Sequence, residues 1–238
     1  MYKNYIFDLY GTLIDIETNE YDMDAWNKLA VSLSFYNVTY TPDQLKEAYF
    51  ACCELQMRNG KKTHPFPEID VVDIFVMLFK NKGKTATRAL ATHLAQELRA
   101  FTTQKLKLRD GAIKFLAELK RKKKKVYLLS NAQKCYALPE MRRLGILKYF
   151  NGIVISSECQ CTKPGKEIFD VLFSQYITDD KRTCIMIGND LDSDIAGATA
   201  YHIDALYLDV ENKGTGNVKC KYKVSDGNLD EARKLLIR

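Results

Sequence analysis

Between residues 105 and 208, short apolar segments alternate with longer amphipathic ones, and few architectures satisfy that pattern. VYLL at 126–129, GIVIS at 152–156, TCIMI at 183–187 and DALYL at 204–208 are apolar almost throughout. A strand without a polar face has to be covered on both sides. The intervening segments, 111–122, 133–144, 165–175 and 193–200, read as helices. Each supplies the crossover that joins neighbouring parallel strands. NYIF at 4–7 matches the strands in composition, and LDEARKLLI at 229–237 reads as a last helix over one face. The expected fold is therefore α/β, a parallel, Rossmann-like sheet with helices on both faces.

The interval between NYIF and the helix at 111 breaks this rhythm. A strand-to-helix connection normally takes about 2–6 residues, so residues 16–104 are expected to form an inserted all-helical cap. Residues 1–15 and 105–238 then make the core domain. Helices are predicted near 20–36, 42–60, 68–80 and 85–102. The second has a clear start, with Thr41 as N-cap, Pro42 at the first helical position and Gln44 completing a capping box. VVDIFVMLF at 71–79 reads as a buried helix, and Trp26, Phe35 and Tyr36 are expected to pack the cap. The two crossings between cap and core, near 15–20 and 103–108, make a hinge. KNKGKT at 80–85 reads as plain surface, while MRNGKKTHPF at 57–66 offers Arg58, Lys61, Lys62 or His64 to an anionic substrate.

Composition narrows the partners. A net charge of +6 favours anionic small molecules, but no aromatic-interleaved basic stripe marks a nucleic-acid surface. RKKKK at 121–125 closes a helix, where cations complement its dipole. No apolar run reaches the roughly 18 residues of a membrane span. Asp8 interrupts the only early apolar segment, which argues against a signal peptide and for a cytoplasmic protein, a monomer or homodimer. Seven cysteines, among them Cys52, Cys53 and the lone CxC of Cys159 and Cys161, show no disulfide or zinc spacing and read as reduced structural thiols. His93 and His202 lack metal-ligand partners at useful spacing and read as structural.

Ligands of open parallel sheets bind beyond the carboxyl ends of the strands, and four such ends carry polar residues here. Asp8 follows NYIF, Ser130 and Asn131 follow VYLL, and Lys163 lies in the loop after GIVIS. Asn189 and Asp190 follow TCIMI, and Asp192 and Asp194 come next. Asp8, Asp190 and Asp194 would repel one another unless a hard cation such as Mg²⁺ were bound among them. Lys163 adds positive charge, and Ser130 and backbone N–H groups add donors. The set is a cradle for a phosphoryl group that Asp8 could attack to give an aspartyl-phosphate.

FDLYGTL at 7–13, LLSNA at 128–132, KPGKEIF at 163–169 and IGNDLDSDIAGA at 187–198 resemble, in order, the four motifs of the haloacid dehalogenase-like (HAD) superfamily with a helical cap after motif one. The resemblance spans essentially the whole chain. It implies a hydrolase with Asp8 as nucleophile and Ser130, Asn131 and Lys163 in catalytic or substrate-binding roles. It also implies Mg²⁺ held by Asp8, the backbone carbonyl of Tyr10 and a motif-four carboxylate, Asp190 or Asp194. Thr12 and, from the cap, Arg58 are further candidate substrate contacts. Two departures bear on the reaction. Tyr10 stands where HAD phosphatases commonly carry a second Asp as general acid and base, and Asn189 stands where many relatives have an Asp. Tyr is typical of the 2-haloacid dehalogenase branch, whose halide leaving group needs no proton. Three readings follow: a Mg²⁺-dependent phosphatase of a small phosphorylated metabolite, a metal-independent dehalogenase-like hydrolase, or a catalytically weak binding protein.

Overall fold

Strand pairing follows from the apolar segments. In chain order the strands are β1 (Asn4–Phe7), β2 (Ile14–Thr18), β3 (Thr103–Leu108), β4 (Lys125–Ser130), β5 (Gly152–Ile155), β6 (Cys184–Gly188), β7 (Asp204–Asp209) and β8 (Tyr222–Ser225). The computed structural model describes residues 2–212, 214 and 220–237. Six strands form one parallel sheet in the order β5-β4-β1-β6-β7-β8. Phe7 pairs with Leu128 of β4 on one side and Ile187 of β6 on the other. This central register places Asp8 between the ends of both neighbours.

Alternation along β1 builds two cores, because successive side chains point to opposite faces. Tyr5 and Phe7 pack with Phe115, Leu116 and Leu119 of α5 (Ala112–Arg121) and with Leu229 and Ala232 of α10 (Leu229–Leu236). Ile6, between them, faces Phe169 and Leu172 of α8 (Lys166–Tyr176) together with Met186 and Tyr201. Phe7 and Phe115 meet edge to face at 5.3 Å between ring centroids. The remaining core helices are α6 (Lys134–Arg143), the single turn α7 (Ser156–Cys159) and α9 (Ala196–Ala200).

Residues between β2 and β3 form α1 (Met23–Ser34), α2 (Pro42–Gly60), α3 (Val71–Lys80) and α4 (Arg88–Thr102) around their own buried cluster. The capping box of Thr41 and Gln44 is present. Trp26 is sealed in this cluster, and its indole N–H donates to the Glu20 carbonyl at 2.8 Å. Phe35 departs from expectation, being 79% exposed, whereas Tyr36, though 43% exposed, meets Phe79 with ring centroids 6.3 Å apart. Helix α1 stops at Ser34, and Leu33 and Val38 on either side of the pair lie in the buried cluster. The crossings are not free linkers. β2 and β3 pair as an antiparallel ribbon from Ile14↔Leu108 to Thr18↔Thr103, with an irregularity at Glu17/Thr18. All seven cysteines are free thiols. Among the described residues no helix is long and apolar enough to cross a membrane.

Trp26→Ala removes the largest fully buried side chain of the helical insert. It should cost about 3–5 kcal/mol, read as a lower midpoint in urea unfolding followed by circular dichroism.

Candidate active site

Past the end of β1 the Asp8 amide still donates to Ile187 O at 3.0 Å, so the residue is fixed by the sheet itself. The residue is 7% exposed, and Oδ1 accepts from Ser130 Oγ at 3.0 Å and Lys163 Nζ at 2.8 Å. Ser130 is the last residue of β4, one strand away. Lys163 reaches in from the loop between α7 and α8. Its ammonium also donates to Leu129 O at 2.7 Å and to Asp194 Oδ1 at 2.5 Å, which occupies all three of its protons. Asn131 clamps the backbone of that lysine: Oδ1 accepts from Lys163 N at 2.8 Å, and Nδ2 donates to Lys163 O at 3.0 Å. The Lys163–Pro164 peptide is cis.

The fourth segment is built around a π-turn over Leu191–Ile195. Asp190 caps it, its Oδ1 accepting from Asp192 N at 2.8 Å and Ser193 N at 3.2 Å. The turn directs Asp194 inward, where its Oδ2 accepts from Asp190 N at 3.1 Å. Only glycine fits at 188, since a Cβ there would lie 2.1 Å from Asp194 Oδ2. Asn189 bridges to the first loop, with Oδ1 accepting from Thr12 Oγ1 at 3.0 Å. Gly11, at φ 78°, would place a Cβ 2.5 Å from the Asn189 amide, so that turn also needs glycine.

One lysine between two buried carboxylates leaves a negative charge uncompensated. Burial alone would depress the Lys163 ammonium, but Asp194 and Asp8 outweigh it and raise its pKa. Burial, reinforced by the charge of Asp8 and opposed by Lys163, pushes the Asp194 carboxyl up to about 7. A cation would relieve this strain. Among the described residues no three His, Cys, Asp or Glu side chains converge on a metal. Mg²⁺ usually keeps several waters and takes only one or two carboxylates. Asp8 Oδ2 and the Tyr10 carbonyl, neither of which takes a hydrogen bond among the described residues, fit that mode.

Tyr10 is committed elsewhere. Its hydroxyl donates to Glu140 Oε2 at 2.5 Å, and burial together with the Glu140 charge raises its pKa far above the ordinary phenol range. Arg58 is exposed near the end of α2 and lines a surface cavity with Met57, Lys61 and Ile69, whose lining includes neither Asp8 nor its partners Ser130 and Lys163. The α2–α3 connection, by contrast, bonds directly to the core. Thr162 N donates to Phe66 O at 2.9 Å and Glu68 N to Gln160 O at 3.2 Å. Gln133 Nε2 donates to Ile69 O at 2.9 Å, and Ser156 Oγ donates to Glu68 Oε2 at 2.6 Å. Glu68, Gln133 and Ser156 had no sequence signal, because nothing local in PFPEID marks its glutamate for burial.

Gly188→Ala should expel the Asp194 carboxylate from its seat. The expected outcome is a loss of about 1–3 kcal/mol in thermal unfolding and loss of turnover.

A family model for haloacid dehalogenase-like hydrolases matches residues 2–202. The HAD-hydrolase YfnB of Bacillus subtilis is 27% identical over 218 residues, covering 89% of this chain and 86% of its own. A magnesium-bound structure of YfnB superposes with a TM-score of 0.59 at 23% identity, covering 99% of this chain and 98% of that one. The pyrimidine 5'-nucleotidase PynA of Streptococcus pneumoniae is 25% identical over 210 residues, covering 87% of this chain and 83% of its own. Among solved structures, a 2-haloacid dehalogenase of Pseudomonas syringae shares the fold with a TM-score of 0.71 at 17% identity, covering 99% of this chain and 98% of that one. With a parallel sheet of the same architecture and a family match over most of its length, the chain belongs to the haloacid dehalogenase-like hydrolases.

Proposed function

We propose that this hydrolase is a Mg²⁺-dependent phosphatase of a small phosphorylated metabolite, working through an aspartyl-phosphate on Asp8. The observation that carries the reading is the asymmetry of the Asp8 carboxylate. Oδ1 is held by Ser130 and Lys163, while Oδ2 takes no hydrogen bond among the described residues and is available for attack. Oδ2 forms the new P–O bond and the bond to the leaving oxygen breaks; water then cleaves the acyl-phosphate. Ser130 and Lys163 stabilise charge on the transferring group. Asp8, the Tyr10 carbonyl and Asp190 or Asp194 would hold Mg²⁺, which supplies further charge neutralisation when bound. PynA, named for a nucleotide substrate, supports a phosphorylated substrate class.

Tyr10 restricts the substrate. Its phenol is raised by burial and donated to Glu140, so it supplies no proton to a leaving group near neutral pH. The loss of a general acid costs roughly 10²–10⁴-fold. Acyl and aryl phosphates, whose leaving groups depart without one, are therefore the favoured substrates over alkyl phosphates.

Tyr10 also favours the second reading, a dehalogenase in which Asp8 attacks carbon. The excess negative charge beside Asp8 opposes it, because a haloacid brings a carboxylate of its own. Incubation with p-nitrophenyl phosphate should release phosphate only with Mg²⁺ present, and Asp8→Asn should abolish it. Halide release from 2-chloropropionate in the presence of EDTA would overturn the phosphatase reading in favour of the dehalogenase. Activity surviving in Asp8→Asn would remove covalent catalysis at that residue.

A further inference from the structure

Nothing in the proposed chemistry uses Glu140 or Arg99, yet their ion pair is among the least exposed in the protein. Glu140 lies on α6 of the core and is 8% exposed. Its Oε1 accepts from Arg99 Nε at 2.8 Å, and its Oε2 accepts from the Tyr10 hydroxyl at 2.5 Å. Arg99 belongs to the last turn of α4, within the helical insert. Its guanidinium lies over two rings, 5.3 Å from the centroid of Tyr10 and 5.2 Å from that of Tyr136. Buried ion pairs recover little net stability after desolvation, so a pair at the seam between two bodies calls for another explanation.

We propose that Tyr10 is a positioning residue for the nucleophile loop: through Glu140 it couples the seating of Asp8 to the docking of α4 on the core. The inference rests on Asp8 being the nucleophile. One Glu140 carboxylate thus joins a side chain of the insert to a side chain of the nucleophile loop, Oε1 accepting from Arg99 and Oε2 from Tyr10, and a carboxylate is a strong acceptor for a phenol. Tyr10 stands two residues after Asp8 in a turn closed by Gly11 N→Ile14 O, Leu13 N→Leu9 O and Ile14 N→Leu9 O bonds of 2.8–2.9 Å. Withdrawal of α4 takes the guanidinium from both the carboxylate and the ring. It leaves a buried charge with the phenol as its remaining donor, so the loop and the helix move together. The side chain that replaces the usual acid thereby reports the position of the insert to the attacking residue.

The test uses Tyr10→Phe, Glu140→Met, Glu140→Gln and Arg99→Met in the full chain. Each is assayed on aryl phosphates of graded leaving-group pKa and by hydrogen exchange at Gly11, Leu13 and Ile14. Tyr10→Phe and Glu140→Met should lower kcat by a common factor of roughly 10-fold or more, with KM little changed. The dependence on leaving-group pKa should be unaltered, and the double variant should be no slower than either single one. Glu140→Gln, which keeps an acceptor for the phenol, should restore most of the rate. Arg99→Met should speed exchange in the loop. Three outcomes overturn the proposal: Glu140→Met turns over normally while Tyr10→Phe is slow; leaving-group dependence steepens in Tyr10→Phe alone; or titrated active sites of every variant run at the parent rate and only thermal stability falls. If Asp8→Asn stays active, the nucleophile assignment fails instead, and the exchange data still judge the coupling on their own.

Discussion

A lysine ammonium held in the protein interior by two aspartates and a carbonyl organises everything around it. Lys163 is 3% exposed and Asp194 0%, and neither would persist as an ion there alone. Their mutual need fixes the loop after β5, the π-turn after β6 and the end of β1 relative to one another, because each contributes one member. Glycine at 188 is a consequence of this arrangement, as is the reciprocal Asn131 clamp on the lysine backbone. The same cluster is one positive charge short of neutrality, which makes it receptive to a cation and unwelcoming to an anion that arrives without one.

The α2–α3 connection meets the core largely through its own backbone groups. Phe66, Glu68 and Ile69 all bond to the core through main-chain atoms, and Pro67 forms a bridge with Cys161, two residues before Lys163. Main-chain contacts carry little sequence information, so a segment can serve this purpose with almost any side chains. For that reason MRNGKKTHPF drew attention to its cations, whereas the hydrogen bonds to the core come from its last residue, Phe66, and from Glu68 and Ile69 beyond it.

Much of the fold was legible because both-sided burial leaves no choice of strand type: NYIF, VYLL, TCIMI and DALYL all join one parallel sheet. The β2/β3 ribbon carried a weaker signal that was there to be found. Ile14 and Ile16 alternate with Asp15 and Glu17, and Leu106 and Leu108 with Lys105 and Lys107, which is strand periodicity in a polar stretch. Asp8, Ser130 and Lys163 could be grouped because each directly follows, or loops from, a strand end. The partner of Tyr10 could not, since Glu140 is one of many helix-surface carboxylates until tertiary packing buries it.

The ribbon also changes what the core experiences as its own chain. Thr18 and Thr103 are partners across the ribbon, and Asn19 N donates to Thr102 O at 2.8 Å, so the ends of the insertion are already together before any helix is counted. To the sheet, the long excursion between β1 and α5 is equivalent to a short hairpin. The entropy of closing a loop grows only slowly with its length, and here the closure is completed outside the nucleophile turn. The helices lie beyond that staple, and of them α4 keeps a tie to the nucleophile turn through Arg99, Glu140 and Tyr10. The sheet thus closes its own loop at the ribbon and leaves the helices to a separate core.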